Sequence, residues 1–119
     1  MILIMGGAFQ GKEEAARRMA AAGENGEKRE VISRFHERVR EYLHAHPEAG
    51  EEKIRAFAAE TAESCPTAVI TMDEVGCGVV PMDREERRYR EAAGWAGQEL
   101  AARAETVWRM LAGIPMRIK

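Results

Sequence analysis

Two glycine-rich segments, each preceded by a short apolar run, hold the residue types that could do chemistry. The first is Met1-Ile-Leu-Ile-Met-Gly-Gly-Ala-Phe-Gln-Gly-Lys12. Its Gly6-to-Lys12 part reads glycine, four residues, glycine, lysine, the spacing of a phosphate-binding P-loop. Glycines let backbone N–H groups turn toward phosphate oxygens, a following helix offers its positive end, and Lys12 would reach the outer phosphates. Nucleotide binding is therefore expected over Gly6, Gly7, Ala8, Phe9, Gln10, Gly11, Lys12 and Glu13. Glu13 stands where a serine or threonine ordinarily holds magnesium. A carboxylate there can ligate Mg2+, and it also repels nearby phosphates. The same stretch equally suits a tight strand-to-helix turn without a ligand.

The second segment runs Ala68-Val-Ile-Thr-Met-Asp-Glu-Val-Gly-Cys-Gly-Val-Val-Pro81. Asp73 and Glu74 close a buried strand, where P-loop enzymes keep a magnesium-side or water-positioning carboxylate. Glu74, with Glu13, is the expected metal ligand, and Glu74 and Asp73 are the expected catalytic acids. Gly76 and Gly78 suit a close backbone approach or a positive φ, and Pro81 stiffens the start of the next helix. A structural turn with two solvated acids fits these residues as well. Of the three histidines, His36 lies at the border of an apolar helix face. A histidine that forms a phosphoramidate needs an exposed neutral nitrogen near the phosphate; the other reading is a helix-surface residue at the core's edge. His44 and His46, two apart, point to different sides of a helix and make no good metal pair. Arg84, Arg87, Arg88 and Arg90 could grip phosphate, or could pair with Glu85, Glu86 and Glu91 along an exposed face. Cys77, between two loop glycines, could be a reactive thiol but better suits a small loop residue.

The elements that must position these residues follow from periodicity. A chain of 119 residues is expected to be one domain, residues 1–119. A net charge of -2 gives no reason to expect nucleic acid or a membrane surface. No apolar run approaches the ~20 residues of a membrane span. The first residues lack the basic region of a secretory signal, and two cysteines are most simply read as reduced, so a cytoplasmic protein is expected. Ile2–Met5 predicts a strand and Lys12–Ala22 a helix, broken by Gly23-Glu-Asn-Gly26. Val31, Ile32, Phe35, Val39, Tyr42 and Leu43 recur at helical steps and predict a second helix, Ile54, Phe57, Ala58, Thr61 and Ala62 a third. Thr67–Met72 predicts a strand covered on both faces. A long helix is expected from about Asp83 to Ala104, with Asp83 and Glu86 as a capping box. Thr106–Leu111 predicts a strand, and Met116–Ile118 a short last one. Strands separated by helices imply an α/β fold with a mostly parallel sheet.

The second segment, followed by Arg84, Arg87, Arg90, Gly94 and Gln98, resembles the adenosylcobinamide kinase / adenosylcobinamide-phosphate guanylyltransferase family. That family reads Asn-Glu-Val-Gly-x-Gly-Ile-Val-Pro here and continues with an arginine-bearing helix, Leu-Ala-Ala, a Val-Trp strand and a Gly-x-x-x-Arg/Lys-Ile-Lys end. This chain has Leu100-Ala-Ala, Val107-Trp108 and Gly113-Ile-Pro-Met-Arg-Ile-Lys119. Gly-Gly-Ala-x-x-Gly-Lys also matches the family's opening. The resemblance implies a P-loop fold, ATP or GTP with Mg2+, and adenosylcobinamide or its phosphate as partner, in phosphoryl and GMP transfer during cobalamin synthesis. It turns Arg84, Arg87 and Arg90 toward phosphate, and makes His36, with Arg40 a turn on, the candidate guanylyl acceptor. Glu13, Phe9-Gln10, Asp73, Trp95 and Gly97 depart from the family pattern. The strand after the first helix and the strand ending in an acid before Cys-Leu/Ile-Thr are not found, and two helices stand in their place. A shortened sheet with an open edge is expected to be covered by the helix around Phe35 or to form a homo-oligomer. The alternative is a non-catalytic nucleotide-binding or assembly subunit derived from the family.

Overall fold

A computed structural model describes residues 1–23, 27–76 and 83–119. The expected features at Gly26, Cys77, Gly78 and Pro81 lie outside the described residues. In chain order the elements are β1 (Ile2–Gly6), α1 (Lys12–Ala21), β2 (Val31–Ile32), α2 (Phe35–Ala45), α3 (Glu51–Ser64), β3 (Val69–Asp73), α4 (Arg84–Arg103), β4 (Thr106–Leu111) and β5 (Ile114–Arg117).

The strands form one sheet in the order β2-β3-β1-β4-β5. The first four are parallel, and β5 is antiparallel to β4. Alternation divides β1 and β3 between two cores. Ile4 and Val69, with Met110, face Ala15, Ala16 and Ala20 of α1. Leu3, Ile70 and Met72 face the larger cluster built from α2, α3 and α4. Both faces are thus covered, as the unbroken apolar runs require. The small residues of α4 set its distance from the sheet: a Cβ on Gly97 would lie 3.4 Å from Met5 Cε. Leu100 is fully buried on the same helix face, and its truncation to alanine would cost about 2–5 kcal/mol.

The sequence pattern is corrected at three places. Val31 and Ile32, expected on the second helix, form β2 and register with Val69 and Ile70. This β-branched pair gains a neighbouring strand, and α2 starts only after Arg34, whose left-handed backbone (φ 55°) breaks the helical path. The strand after the first helix is therefore present, two residues long, and it occupies the edge expected to be open. Phe35 instead packs in the larger core, stacked on Phe57 at 5.6 Å. At the start of α4, Asp83 accepts a hydrogen bond from the Glu85 N–H at 3.0 Å, while Glu86 pairs with Arg40 at 2.8 Å rather than completing a capping box. The last strand begins earlier than expected, at Ile114. Ala112 and Gly113, both at positive φ, make a two-residue turn that gives β4 and β5 the twist of a hairpin.

The connections leave β1 and β3 toward opposite faces. After β1 the chain passes along the α1 face to reach β2; after β3 it passes through α4, on the other face, to reach β4. Such a divergence opens a crevice at the carboxyl ends of the two strands.

Candidate nucleotide site

Gly6 and Asp73 sit in register at the carboxyl ends of β1 and β3. Gly6 has to be glycine: an added Cβ would lie 2.7 Å from the Met110 carbonyl oxygen of β4. The loop then turns through Phe9 (φ 59°) and Gly11 (φ 89°), and Gly11 caps α1 with its backbone. The Gln10 side-chain oxygen accepts from the Ala112 N–H at 2.6 Å, and its carbonyl accepts from the Gly113 N–H at 3.1 Å. Gln10 therefore ties the loop to the β4–β5 turn, whereas Phe9 is fully exposed.

Lys12 is 7% exposed. Its Nζ donates to the Gly7 carbonyl and pairs with Asp73 Oδ1 at 2.8 Å. Asp73 is held by His36 in turn. The Asp73 N–H donates to His36 Nδ1 at 3.0 Å, and His36 Nε2 lies 3.5 Å from Asp73 Oδ2. A backbone N–H can only donate, so Nδ1 is the acceptor and the proton of the neutral ring is on Nε2, toward the carboxylate. Burial lowers the His36 pKa below its ordinary value against the opposing pull of Asp73 and Glu37, which favours that neutral ring. In this arrangement neither ring nitrogen presents a lone pair to an incoming phosphorus.

Glu13 accepts from the Thr71 hydroxyl and from the Ser33 hydroxyl, each at 2.6 Å. Glu74 points elsewhere. Its carboxylate takes a two-pronged grip from Arg109 of β4, at 2.7 and 3.2 Å, while its N–H donates to the Gly6 carbonyl. An open recess of about 300 Å³ is lined by the Ala8–Glu14 stretch, Arg34 and Asp73. Glu74, His36, Arg84 and Arg87 do not line it. Arg84 and Arg87 open α4, where the Arg87 N–H donates to the Asp83 carbonyl. Farther along, Arg88 donates to the His46 and Ala49 carbonyls, and Arg90 donates to the Gly76 carbonyl, itself at positive φ. Among the described residues, no group of three or more His, Cys, Asp or Glu could hold a metal ion by itself. None of the described helices is long and apolar enough to cross a membrane.

Arg34, Ser33, Thr71 and Arg109 were not among the expected site residues. Thr71 left a signal: it is a lone hydroxyl in an apolar strand, two residues before Asp73 and hence on the same face. Arg109 left none, because its partner is set by the β1–β4 register.

A mostly parallel α/β sheet, a Gly-x-x-x-x-Gly-Lys turn from the central strand into a helix, and a carboxylate on the neighbouring strand define the P-loop class of nucleotide-binding folds. Within that class, residues 28–118 match the family described as cobinamide kinase / cobinamide phosphate guanyltransferase, CobU, and the chain belongs to that family. It is 43% identical over 58 residues to the bifunctional adenosylcobalamin biosynthesis proteins CobU of Salmonella typhimurium and of Escherichia coli, a match covering 48% of this chain and 32% of each relative. Identity to the bifunctional adenosylcobalamin biosynthesis protein CobP of Pseudomonas aeruginosa is 43% over 51 residues, a match covering 43% of this chain and 30% of that one. Each of these matches spans about a third of the relative's length. The Gly6–Lys12 loop precedes the residues matched by the family and rests on its own geometry.

Proposed function

We propose that the chain binds ATP or GTP with Mg2+ and transfers the terminal phosphoryl group to the side-chain hydroxyl of adenosylcobinamide. The observation that carries this reading is buried Lys12, set between the glycine loop and Asp73 at the crevice, in a chain of the cobinamide kinase / guanyltransferase family. Backbone N–H groups from Gly7 to Gly11 and the Lys12 ammonium would hold the outer phosphates. Asp73 is the recess carboxylate that a nucleotide would release from Lys12, and it would then hold Mg2+. Glu13 is engaged by two hydroxyls and Glu74 by Arg109. A magnesium ion held by one carboxylate would keep water and phosphate oxygens as its other ligands. When bound, Mg2+ offsets the negative charge on the phosphoryl oxygens. The acceptor hydroxyl bonds to the γ-phosphorus, the bond to the bridging oxygen breaks, the nucleoside diphosphate leaves, and the hydroxyl proton passes to solvent.

His36 acts here as a positioning residue for Asp73, and GMP transfer through a phosphoramidate is not part of this reading. A second reading, a non-catalytic nucleotide-binding or assembly subunit, is favoured by Glu13 at the magnesium-serine position. A homo-oligomer formed through the β5 edge, where Ile114 and Met116 are exposed, belongs to either reading and is tested by sedimentation velocity. Turnover separates the two functions. The protein is incubated with adenosylcobinamide, ATP or GTP and Mg2+, and phosphorylated cobinamide is sought by mass spectrometry, with nucleotide binding measured by calorimetry. Product that is lost with Lys12→Ala supports the kinase. Binding without product supports the second reading, absence of both binding and product counts against both, and a GMP adduct on His36 refutes its positioning role.

A further inference from the structure

A hydrogen-bonded chain beside the recess has no part in the reaction described above. Glu13 Oε1 accepts from Thr71 Oγ1 and Glu13 Oε2 from Ser33 Oγ, each at 2.6 Å. Thr71 Oγ1 in turn accepts from the Arg34 backbone N–H at 2.8 Å. The first turn of α1, the middle of β3 and the corner between β2 and α2 are thereby joined through one carboxylate.

Arg34 is the outermost member of that chain. Its backbone is left-handed (φ 55°, ψ 56°), a conformation that glycine adopts without strain and a long side chain does not. Its side chain is exposed, reaches Glu37 at 3.4 Å, and lines the recess that contains Lys12. The recess needs such a group. Lys12 is paired with Asp73 before nucleotide arrives, and Glu13, Glu14 and Asp73 place three carboxylates on the lining of a recess proposed to hold a polyphosphate. A guanidinium is always charged, and its planar fork can hold two phosphate oxygens at once.

We infer that Arg34 is a second phosphate-binding cation of this recess and that Glu13, through Thr71 and Ser33, positions it. This rests on the nucleotide-site reading above. It gives the carboxylate at position 13 a task other than binding magnesium: in place of a hydroxyl that meets a metal, the chain has an acid that fixes the corner carrying an arginine.

Arg34→Gly separates folding from binding, because glycine suits the left-handed backbone. Calorimetry with ATP and Mg2+ should show about a tenfold loss of affinity in Arg34→Gly, the size of one lost charge-assisted hydrogen bond. Its thermal midpoint should be equal to the parent's or higher. Arg34→Lys should recover part of the affinity. Glu13→Ala should weaken binding by a similar factor, and the Glu13→Ala/Arg34→Gly double variant by no more than the larger single effect, because the two act through one chain. Glu13→Gln, which can still bond both hydroxyls, should keep its magnesium dependence. Parent-like affinity in Arg34→Gly, additive losses in the double variant, or loss of magnesium dependence in Glu13→Gln overturns the inference. If the parent protein itself binds no ATP, the nucleotide site falls along with it; if the parent binds and Arg34→Gly binds equally, only the role of Arg34 falls.

Discussion

Asp73→Asn asks whether the P-loop lysine is restrained before nucleotide arrives. Lys12 Nζ and Asp73 Oδ1 are 2.8 Å apart, with the lysine side chain 7% and the aspartate 28% exposed. At that distance, and an effective dielectric of about 20, the gross attraction is roughly 6 kcal/mol. Most of it is offset by the cost of holding both charges away from water, and solvent on the open flank of Asp73 screens part of the rest. A net restraint of about 1–2 kcal/mol is a reasonable figure for what an incoming phosphate must displace. Asparagine keeps the volume, can still accept from Lys12, and leaves the backbone bond to His36 Nδ1 in place. Without Mg2+, Asp73→Asn should therefore bind ATP roughly 5–30-fold more tightly than the parent. Its folded state should lose about 1–3 kcal/mol, because Lys12 stays buried without its counter-ion. The gain from adding Mg2+ should shrink, since the carboxylate proposed to hold the ion is gone. Calorimetric titrations at one ionic strength, in Mg2+ and in chelator, with urea unfolding alongside, measure all three. Unchanged or weaker metal-free affinity would refute the restraint, and an undiminished magnesium effect would remove Asp73 from the metal site.

Three further outcomes follow from the packing around the loop. Gly6→Ala puts a Cβ 2.7 Å from the Met110 carbonyl oxygen and 3.2 Å from its Cβ, so urea unfolding should register a loss of about 1–3 kcal/mol. Burial lowers the folded-state pKa of His36 below the unfolded value of about 6.5, so between the two the unfolded chain binds the extra proton. Its contribution to stability is complete above about pH 6.5 and is lost as the pH falls through the folded-state value, a slope that urea midpoints measured in a pH series should show and His36→Gln should flatten. Arg109→Ala releases a half-exposed ion pair and should cost no more than about 1 kcal/mol, with nucleotide affinity unchanged; a clear loss of affinity would return Glu74 to the site.

The parts of this site that the sequence made visible are those whose geometry is local. The turn from β1 into α1 follows from glycines and a lysine at fixed spacing, and the long α4 from a cap and a proline-free stretch rich in alanine, glutamate and arginine. β2 was hidden because Val31 and Ile32 continue the helical spacing that starts at Phe35. Two residues become a strand only when Val69 and Ile70 lie beside them. The left-handed Arg34 that separates β2 from α2 is invisible for the same reason, since an arginine gives no local sign of that backbone. The role of Gln10 depends on a hairpin more than a hundred positions away.

The adjacent acids Asp73 and Glu74 show where elementary rules reach further than residue type. Both are carboxylates at the end of one strand, and composition gives no reason to prefer either. Alternation does. With β3 running through Asp73, the side chains of Val69, Thr71 and Asp73 share the face of α1, which is the face of Lys12 and Glu13. The next residue turns away, and Glu74 meets Arg109, which shares the side of Val107 on β4, beyond the intervening β1. A shift of one residue in the β1–β3 register would exchange the two acids, placing Glu74 opposite Lys12 and leaving Asp73 for Arg109. What fixes that register is the apolar pattern of β1 and β3, with Leu3 and Ile70 committed to one core and Ile4 and Val69 to the other. Which acid faces Lys12 is therefore decided by hydrophobic residues that do not line the recess.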